Sequence, residues 1–279
     1  MNTLSTVKPP ALIYVSSRRY LYLGQTQLRI RELHAAASSL LVCLQGTVRF
    51  RTSDGDPWSS ARSILIRAGS RIAIDNRDAV IAACYLDAGQ PDYLLLKRQM
   101  SSARHGIYYR HAHEQELIES LIELRNDRPD FEEAQARTDA ILHRHVDRTA
   151  VTLDPRLTQV IARLRHTATV NIPVSALAAE VGLSESGLIK LFGLHIGAPL
   201  RRHRLWYRLI DFIQLSLAGT PTALAIRTAG FTDAAHLSRC YSGFFGVSLA
   251  YAFSKKTSVE YICAAHPEAA EQQRSAHGG

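Results

Sequence analysis

Short apolar runs separated by turn-forming residues dominate the chain from Ala11 to about Leu96. Leu40–Leu44 and Val80–Leu86 are the longest of these runs. The Gly, Asn and Asp residues between runs tolerate the positive φ that hairpin turns require. The pattern predicts antiparallel strands that form a small barrel or a sandwich. Further strands are predicted at Val48–Phe50, Ile64–Ile66 and Ile72–Ile74.

The spacing of apolar residues then changes to about 3.6, the period of an amphipathic helix. A helix predicted over residues 113–126 carries Leu117, Leu121 and Leu124 on one face. A second helix is predicted from Phe131 to Val146. The apolar face of the first helix could pair with a second copy of the chain, which makes its leucines candidate dimerisation residues. It could equally pack on its own barrel.

Leu153-Asp154-Pro155 marks a boundary, because Asp154 can cap a helix and Pro155 suits the first helical position. The pattern after it is helical to about Phe253. We therefore expect a multidomain α+β chain with a β barrel at 1–110, a helical linker at 111–150 and an all-α domain at 154–254. The remainder, 258–279, is rich in Ala, Glu, Gln and Gly, and is expected to be a disordered tail.

The helical part contains a repeat that predicts two helix-turn-helix units, near 173–195 and 221–245. Each copy has a short Ala-rich helix, a glycine able to end it in the left-handed conformation, a polar pair and a second amphipathic helix. The Ser or Thr two residues after the glycine can cap that second helix. The offset is 48 residues at first (221 − 173) and 49 later (237 − 188). The aligned positions are Pro173, Gly182, Leu188, Phe192 and Gly197 over Pro221, Gly230, Leu237, Tyr241 and Gly246.

A single helix predicted from Pro199 to about Leu217 joins the two units and would be roughly 27 Å long. Such a rod can hold two recognition helices about one DNA turn apart, so that both enter successive major grooves on one face of the duplex. It begins with Arg201, Arg202 and Arg204 and continues to Arg208, which we expect to face phosphates.

The positive charge is concentrated in this part of the chain. Residues 154–256 hold 12 Lys and Arg against 5 Asp and Glu, so they contribute 12 − 5 = +7 of the net +8. A basic segment favours a polyanionic partner, because neutralising phosphates releases condensed counterions. Charge alone would also fit a merely basic surface. The repeat makes DNA the favoured partner.

Residues 155–253 resemble the DNA-binding domain of the AraC/XylS family of transcription regulators. The stretches that carry the resemblance are Leu177-Ala178-Ala179-Glu180-Val181-Gly182-Leu183-Ser184, the run from Leu188 to Gly197, Ala229-Gly230-Phe231-Thr232-Asp233, His236-Leu237-Ser238-Arg239 and Phe245-Gly246-Val247. The resemblance implies recognition helices at about Ser184–Leu194 and Asp233–Phe244.

The resemblance also implies which residues meet DNA. Lys190 and Arg239 are the candidates for hydrogen bonds to guanine, and His236 for a base or phosphate. The side chains of Ile189, Ala234 and Ala235 cannot donate hydrogen bonds. Recognition of the DNA sequence would therefore also use contacts with thymine methyl groups and the shape of the DNA. The candidate set is Ser184, Ser186, Ile189, Lys190, Arg201, Arg202, Arg204, Thr222, Ala234, Ala235, His236 and Arg239. The chain departs from the family pattern at Gly193-Leu194, at Leu249 and at Ala225-Ile226.

The first domain is similar in strand rhythm to the cupin-like barrel that often precedes this domain in the family. By that analogy an effector pocket would be lined by Tyr14, Tyr22, Trp58 and Tyr85, although a core filled by side chains is the competing expectation. The barrel contains one histidine, His34, so the ligand set of metal-binding cupins is missing and cupin-type enzymes are disfavoured.

Other catalytic and metal chemistry has little support. His111-x-His113 and His143-x-His145 would point about 200° apart on a regular helix, so we expect no metal at either pair. The four cysteines lack C-x-x-C spacing. Neither a nucleophile motif nor a phosphate or dinucleotide motif is present, so no cofactor and no enzyme activity are expected.

The sequence therefore predicts a sequence-specific activator or repressor that binds double-stranded promoter DNA and meets RNA polymerase. Its first domain would bind a small effector or form a homodimer. The absence of a long apolar run or signal sequence favours a cytoplasmic protein with no membrane partner. One alternative is a cupin-type ligand-binding or catalytic protein whose helical module does not bind DNA. Another is an oligomerising regulator that senses no ligand.

Overall fold

A computed structural model describes residues 10–16, 18–25, 29–77, 79–254 and 259–263. These residues form an α+β structure, with a β-rich part followed by a helical part. The strands are β1 (Ala11–Val15), β2 (Tyr20–Gln25), β3 (Arg29–His34), β4 (Ser39–Gln45), β5 (Val48–Arg51), β6 (Ser59–Ala61), β7 (Ser63–Ile66), β8 (Arg71–Asp75), β9 (Val80–Tyr85), β10 (Met100–Arg104), β11 (Ile107–His111) and β12 (Val259–Cys263). The helices are α1 (Asp92–Arg98), α2 (Glu114–Asp127), α3 (Phe131–Leu142), α4 (Pro155–His166), α5 (Val174–Glu180), α6 (Glu185–His195), α7 (Leu200–Leu217), α8 (Thr222–Thr228), α9 (Ala234–Phe245) and α10 (Leu249–Ala252).

The strands form two sheets. The larger has the order β10-β11-β7-β4-β9-β2-β1-β12 and the smaller the order β3-β8-β5-β6. Every pairing is antiparallel except that of β1 with β12. Neither sheet closes on itself within the described residues. Of the two predicted architectures, the structure therefore supports a two-sheet sandwich and not a closed barrel.

Strand β4 shows how the larger sheet organises two apolar layers. Its residues from Ser39 to Leu44 are all buried. Because successive side chains point to opposite faces of a strand, Leu41 and Cys43 pack against the smaller sheet while Leu40 and Val42 pack toward α2 and α3. The continuous apolar run thus reflects a sheet covered on both faces.

The linker helices α2 and α3 supply the outer cover of that sheet. Leu117, Leu121 and Leu124 of α2 are buried against β4 and its neighbours, within the same chain. The expectation that these leucines form a dimer interface is therefore wrong, and the alternative of packing on the chain's own β structure is correct. A face already buried in one protomer has no apolar area left to bury in a second.

The expectation of a disordered tail is wrong for residues 259–263, which form β12. Val259–Cys263 adds a parallel edge strand to β1, with Ala11 opposite Val259 and Val15 opposite Cys263. The β-branched and aromatic residues of Val-Glu-Tyr-Ile-Cys suit a strand. The composition of residues 258–279 as a whole did not indicate so short a strand. Residues 258 and 264–279 lie outside the described residues.

The helical part is built around α7, whose one face is buried along its length. Trp206, Leu209, Ile210 and Ile213 pack against the helices on both sides. Asp154 caps α4 through Arg156 N, and Pro155 lies at the first helical position, as predicted. Within the part of the chain that the structure describes, no helix combines the length and the apolar character that a bilayer crossing requires.

Candidate nucleic-acid interface

The turn of each helix-turn-helix unit depends on a glycine in the left-handed conformation. Gly182 has φ 67° between α5 and α6, and Gly230 has φ 78° between α8 and α9. A side chain at either position would strain the backbone. The repeat read from the sequence therefore corresponds to two turns of the same backbone geometry.

Different residues cap the second helix in the two units. In the first, the Gly187 amide donates to Ser184 Oγ at 3.1 Å. In the second, the His236 amide donates to Asp233 Oδ1 at 2.7 Å. Thr232, which the repeat predicted as the second cap, instead donates its hydroxyl to Asp233 Oδ2. The extra residue that changes the offset from 48 to 49 therefore falls between the glycine and the cap.

Helix α6 exposes the face opposite its core contacts. Leu188 and Phe192 are fully buried, while Ser186 and Lys190 are exposed and Ile189 is 52% exposed. Ile189 therefore adds an exposed apolar side chain to this face. Ser184, also exposed, lies at the amino end of this face. The predicted residues of the first unit are thus available together on one helix.

Helix α9 repeats the arrangement in the second unit. Leu237, Tyr241 and Phe244 are buried, while Ala234, Ala235 and Arg239 are exposed. Thr222, at the start of α8, is exposed as well.

His236 differs from the other predicted contacts because its ring is already engaged. Its Nδ1 lies 3.2 Å from Thr232 Oγ1, and its ring meets Phe231 edge-on. The side chain is half-buried. A role in shaping the amino end of α9 accounts for these contacts.

The arginines of α7 do not form the single phosphate-facing row that the sequence suggested. Arg201 is exposed. Arg202 donates to the His34 carbonyl and lies over the Phe244 ring, and Arg204 donates to the Ile172 carbonyl. The expectation of exposed guanidinium groups at Arg202 and Arg204 is corrected accordingly.

Arg208 is a structural residue. Its side chain is 7% exposed, and it donates to the carbonyls of Ala168 and Gly230 and to the Asn171 side chain at 2.6, 2.9 and 2.7 Å. These bonds tie α7 to the segment after α4 and to the turn of the second unit. Charge periodicity alone could not separate this buried cation from an exposed one.

The β-rich part contacts the carboxyl ends of α6 and α9, the second helices of the two units. The Arg67 guanidinium donates to the carbonyls of Gly193 and Leu194 at the end of α6. Ile30 of β3 meets Gly246 at the end of α9, where a Cβ would lie 2.6 Å from the isoleucine side chain. These contacts could not be read from the sequence, because they join residues more than a hundred positions apart.

Three further contacts join the two parts at the same seam. Arg165 of α4 forms an ion pair with Asp87 at 2.6 Å, with both side chains largely buried. The Tyr85 ring stacks on Trp206 with centroids 5.1 Å apart. Gly197 approaches the backbone of the β-rich part so closely that a Cβ would lie 2.4 Å from the Ala68 carbonyl oxygen.

The four aromatic residues predicted to line an effector pocket do not share one. Tyr14 donates its hydroxyl to the Pro129 carbonyl beneath the linker helices, and Tyr85 lies at the seam. Trp58 packs against two guanidinium groups near the smaller sheet, and Tyr22 is half-buried beside other core residues. That prediction is corrected, because alternate residues of a strand face different layers.

The comparisons with known proteins give likeness of structure and none of sequence. No family model and no curated protein matches the chain. The apo form of a ToxT variant from Vibrio cholerae strain SCE256 superposes with a TM-score of 0.58 at 9% identity, covering 85% of this chain and 97% of that one. ToxT from Vibrio cholerae O395 gives 0.51 at 12% identity, covering 86% and 95%.

A third ToxT structure from strain O395, bound to (E)-4-(8-methylnaphthalen-1-yl)but-3-enoic acid, gives a TM-score of 0.50 at 12% identity over 86% and 96% of the two chains. Matching structures also include proteins described as AraC-type transcription regulators. At identities this low, the structural similarity shows a common fold and nothing further. The chain therefore has the fold of ToxT, with a β-rich part and a helical part arranged in the same order.

Proposed function

We propose that this protein is a sequence-specific transcription regulator of the AraC/XylS type, non-enzymatic and cytoplasmic, which binds promoter DNA through α6 and α9. The observation that carries the proposal is the repetition of one exposed surface. Each unit buries one face of its second helix and leaves the opposite face open, and α7 joins the two. The motif resemblance of residues 155–253 and the ToxT fold support the same family independently.

The exposed side chains suit the major groove. Lys190 and Arg239 offer hydrogen-bond donors for guanine O6 and N7, while Ile189, Ala234 and Ala235 offer apolar contacts for thymine methyl groups. Serine hydroxyls on α6 can bond bases or phosphates. Arg201 is the arginine of α7 left free for a phosphate. We propose that α6 and α9 enter successive major grooves, with the rod of α7 setting their spacing.

Control would come from the β-rich part. Small-molecule binding by this part is proposed because one ToxT structure holds a carboxylic acid. A small cleft at the seam, lined by Asp87, Tyr93, His195 and His203, is our candidate site for such an effector. A molecule held there touches both parts and could alter how Arg67 and β3 hold the recognition helices. Bound at a promoter, the protein would then act on RNA polymerase, alone or as a homodimer through a surface other than α2.

Selection of bound fragments from the native genome, followed by gel shifts, tests this proposal. We expect specific retardation whose affinity falls steeply as salt increases, because phosphate contacts release counterions. Retardation that is equal for all fragments of the same length would remove the claim of sequence reading. A chain that retards no fragment at low salt would favour the alternative of a ligand-binding protein with a helical module that does not bind DNA.

A further inference from the structure

Three side chains with metal-ligand chemistry meet at one end of the linker helices α2 and α3, and none of them belongs to the proposed DNA-binding residues. His113 is the residue before α2, Glu116 lies in the first turn of α2, and His145 follows the end of α3. Helices α2 and α3 form a hairpin, so the end of the second returns to the start of the first. The convergence therefore follows from the fold.

The sequence argument against metal binding assumed that each His-x-His pair lies on a regular helix. The structure places both pairs outside helices. His143 caps the end of α3 and bonds Asp92 at 2.9 Å, while His145 lies beyond it with a left-handed backbone, φ 63°. The amide of His113 donates to His111 Nδ1 at 3.1 Å. One histidine from each pair is thereby left to face Glu116.

The three ligand atoms lie close to the separations that a metal ion requires. His145 Nε2 is 2.9 Å from Glu116 Oε2, and His113 Nδ1 is 3.7 Å from Glu116 Oε1. All three ligand atoms fall within 4.8 Å of one another. Tetrahedral zinc, with bonds near 2.0–2.1 Å, holds its ligand atoms about 3.3 Å apart. Small side-chain rotations would bring the observed set to that spacing.

We propose that His113, Glu116 and His145 bind one divalent transition-metal ion of the zinc type. Two imidazoles, which are ligands of borderline hardness, together with one carboxylate form a set that suits zinc better than magnesium or calcium. A ring nitrogen of each histidine lies beside the Glu116 carboxylate, and the two rings are stacked with their centroids 4.0 Å apart. The side chains of His113, Glu116 and His145 are 41, 49 and 40% exposed, so water can reach the ion and complete its coordination.

The neighbouring charge is compatible with this assignment. Arg144 lies 4.0 Å from Glu116 Oε2, but its guanidinium also donates to Ser120 Oγ at 3.1 Å. The Glu116 oxygens that face His113 and His145 therefore remain available to bind a metal ion. Bound metal would join the start of α2 to the chain just before α4, the first helix of the helical part, which goes beyond the proposed DNA-binding function.

Isothermal titration of the full chain, free of any affinity tag, with Zn²⁺ alone tests the site. We expect about one ion per chain, and at least about tenfold weaker binding in both His145→Ala and Glu116→Gln, since even residues that only orient metal ligands change affinity by that much. Alkylation of accessible thiols beforehand keeps cysteines from contributing.

His105→Ala is the matched control, because His105 is also an exposed imidazole beside a carboxylate, 3.4 Å from Asp56. It should bind zinc as the unaltered chain does. The assignment is overturned if the unaltered chain binds no zinc, if Glu116→Gln and His145→Ala retain its affinity, or if His105→Ala loses as much. Glu116→Gln keeps the shape of the side chain, so it decides the question if His145→Ala does not fold, as circular dichroism will show.

Discussion

Arginines a turn or two apart on α7 perform different tasks, and burial decides which. Arg201 points to solvent, whereas Arg208 is enclosed and satisfies two backbone carbonyls and one side-chain amide. A buried guanidinium is tolerated because its donors are paired, and the carbonyls it serves would otherwise be left unsatisfied. A sequence that reads as one basic stripe thus combines a structural residue with a residue free to meet DNA.

Arg208→Ala should lower the free energy of unfolding by roughly 3 kcal/mol, since hydrogen bonds to charged groups are strong and their loss leaves buried carbonyls without donors. Arg201→Ala should change it by less than about 0.5 kcal/mol. Urea denaturation compares the two variants. The Arg201 variant should instead bind all DNA more weakly, with a salt dependence reduced by about one phosphate contact. Equal stability of the two variants would contradict the structural role of Arg208.

Asp211 of α7 has a carboxyl group that is partly removed from solvent. Burial raises the pKa of its carboxyl from 3.8 to about 6. Because the folded form holds its proton more tightly than the unfolded form, the carboxylate destabilises the fold at pH above 6. That cost declines as the pH falls through 6 toward 4.

Asp211→Asn should therefore stabilise the protein by roughly 2 kcal/mol at pH 8, and by progressively less as the pH is lowered to 5. Thermal melts over this range measure the difference. Asp147→Asn is the control of opposite sign, since the hydrogen bond from the Thr149 side chain lowers the pKa of Asp147. A stabilisation by Asp211→Asn that does not depend on pH would show that the carboxyl is not desolvated.

Two helices, α6 and α9, would recognise the DNA sequence through their exposed faces. Lys190 on α6 and Arg239 on α9 are exposed, and neither belongs to the core of its unit. A bidentate contact to a base pair is worth about 1–3 kcal/mol of discrimination. Losing one such contact in each groove removes much of the difference between specific and non-specific DNA.

The double variant Lys190→Ala with Arg239→Ala should keep its fold and lose its preference for the selected DNA. Competition gel shifts against unrelated DNA measure that preference, and thermal melts verify the fold. A variant that changes Arg163 and Arg227 to alanine removes two other cations of the helical part, and it should retain the preference. If the first variant still discriminates between the two DNAs, Lys190 and Arg239 are not the residues that read bases.

Elements with a strong local signal were predictable, and those set by distant contacts were not. The period of 3.6 located α2, and two left-handed glycines located the helix-turn-helix turns. The local sequence did not indicate that Val259–Cys263 pairs with β1, because that strand depends on a partner almost 250 residues away. The starts of α6 and α9 were predicted to within one residue, and the predicted capping residue was correct in the first unit and displaced by one in the second.

At the scale of the whole molecule, composition could not reveal the seam between the two parts. It includes single polar contacts between distant segments, such as those of Arg67 with the end of α6 and of Arg165 with Asp87. The apolar core also crosses it, since Ile13, Val15 and Tyr20 pack with the helical part. The same geometry explains why the predicted aromatic pocket failed. Tyr14 and Tyr22 lie on opposite faces of the larger sheet, and Trp58 lies beside the smaller one.

Binding of DNA in the way we propose requires that α6 and α9 enter successive major grooves on one side of a duplex. Methylation interference on a selected DNA site measures it directly, because guanine N7 lies in the major groove. We expect two clusters of interfering guanines about 10 base pairs apart on one face of the duplex, with Lys190→Ala weakening one cluster and Arg239→Ala the other. A single cluster, or two clusters on opposite faces of the duplex, would contradict it.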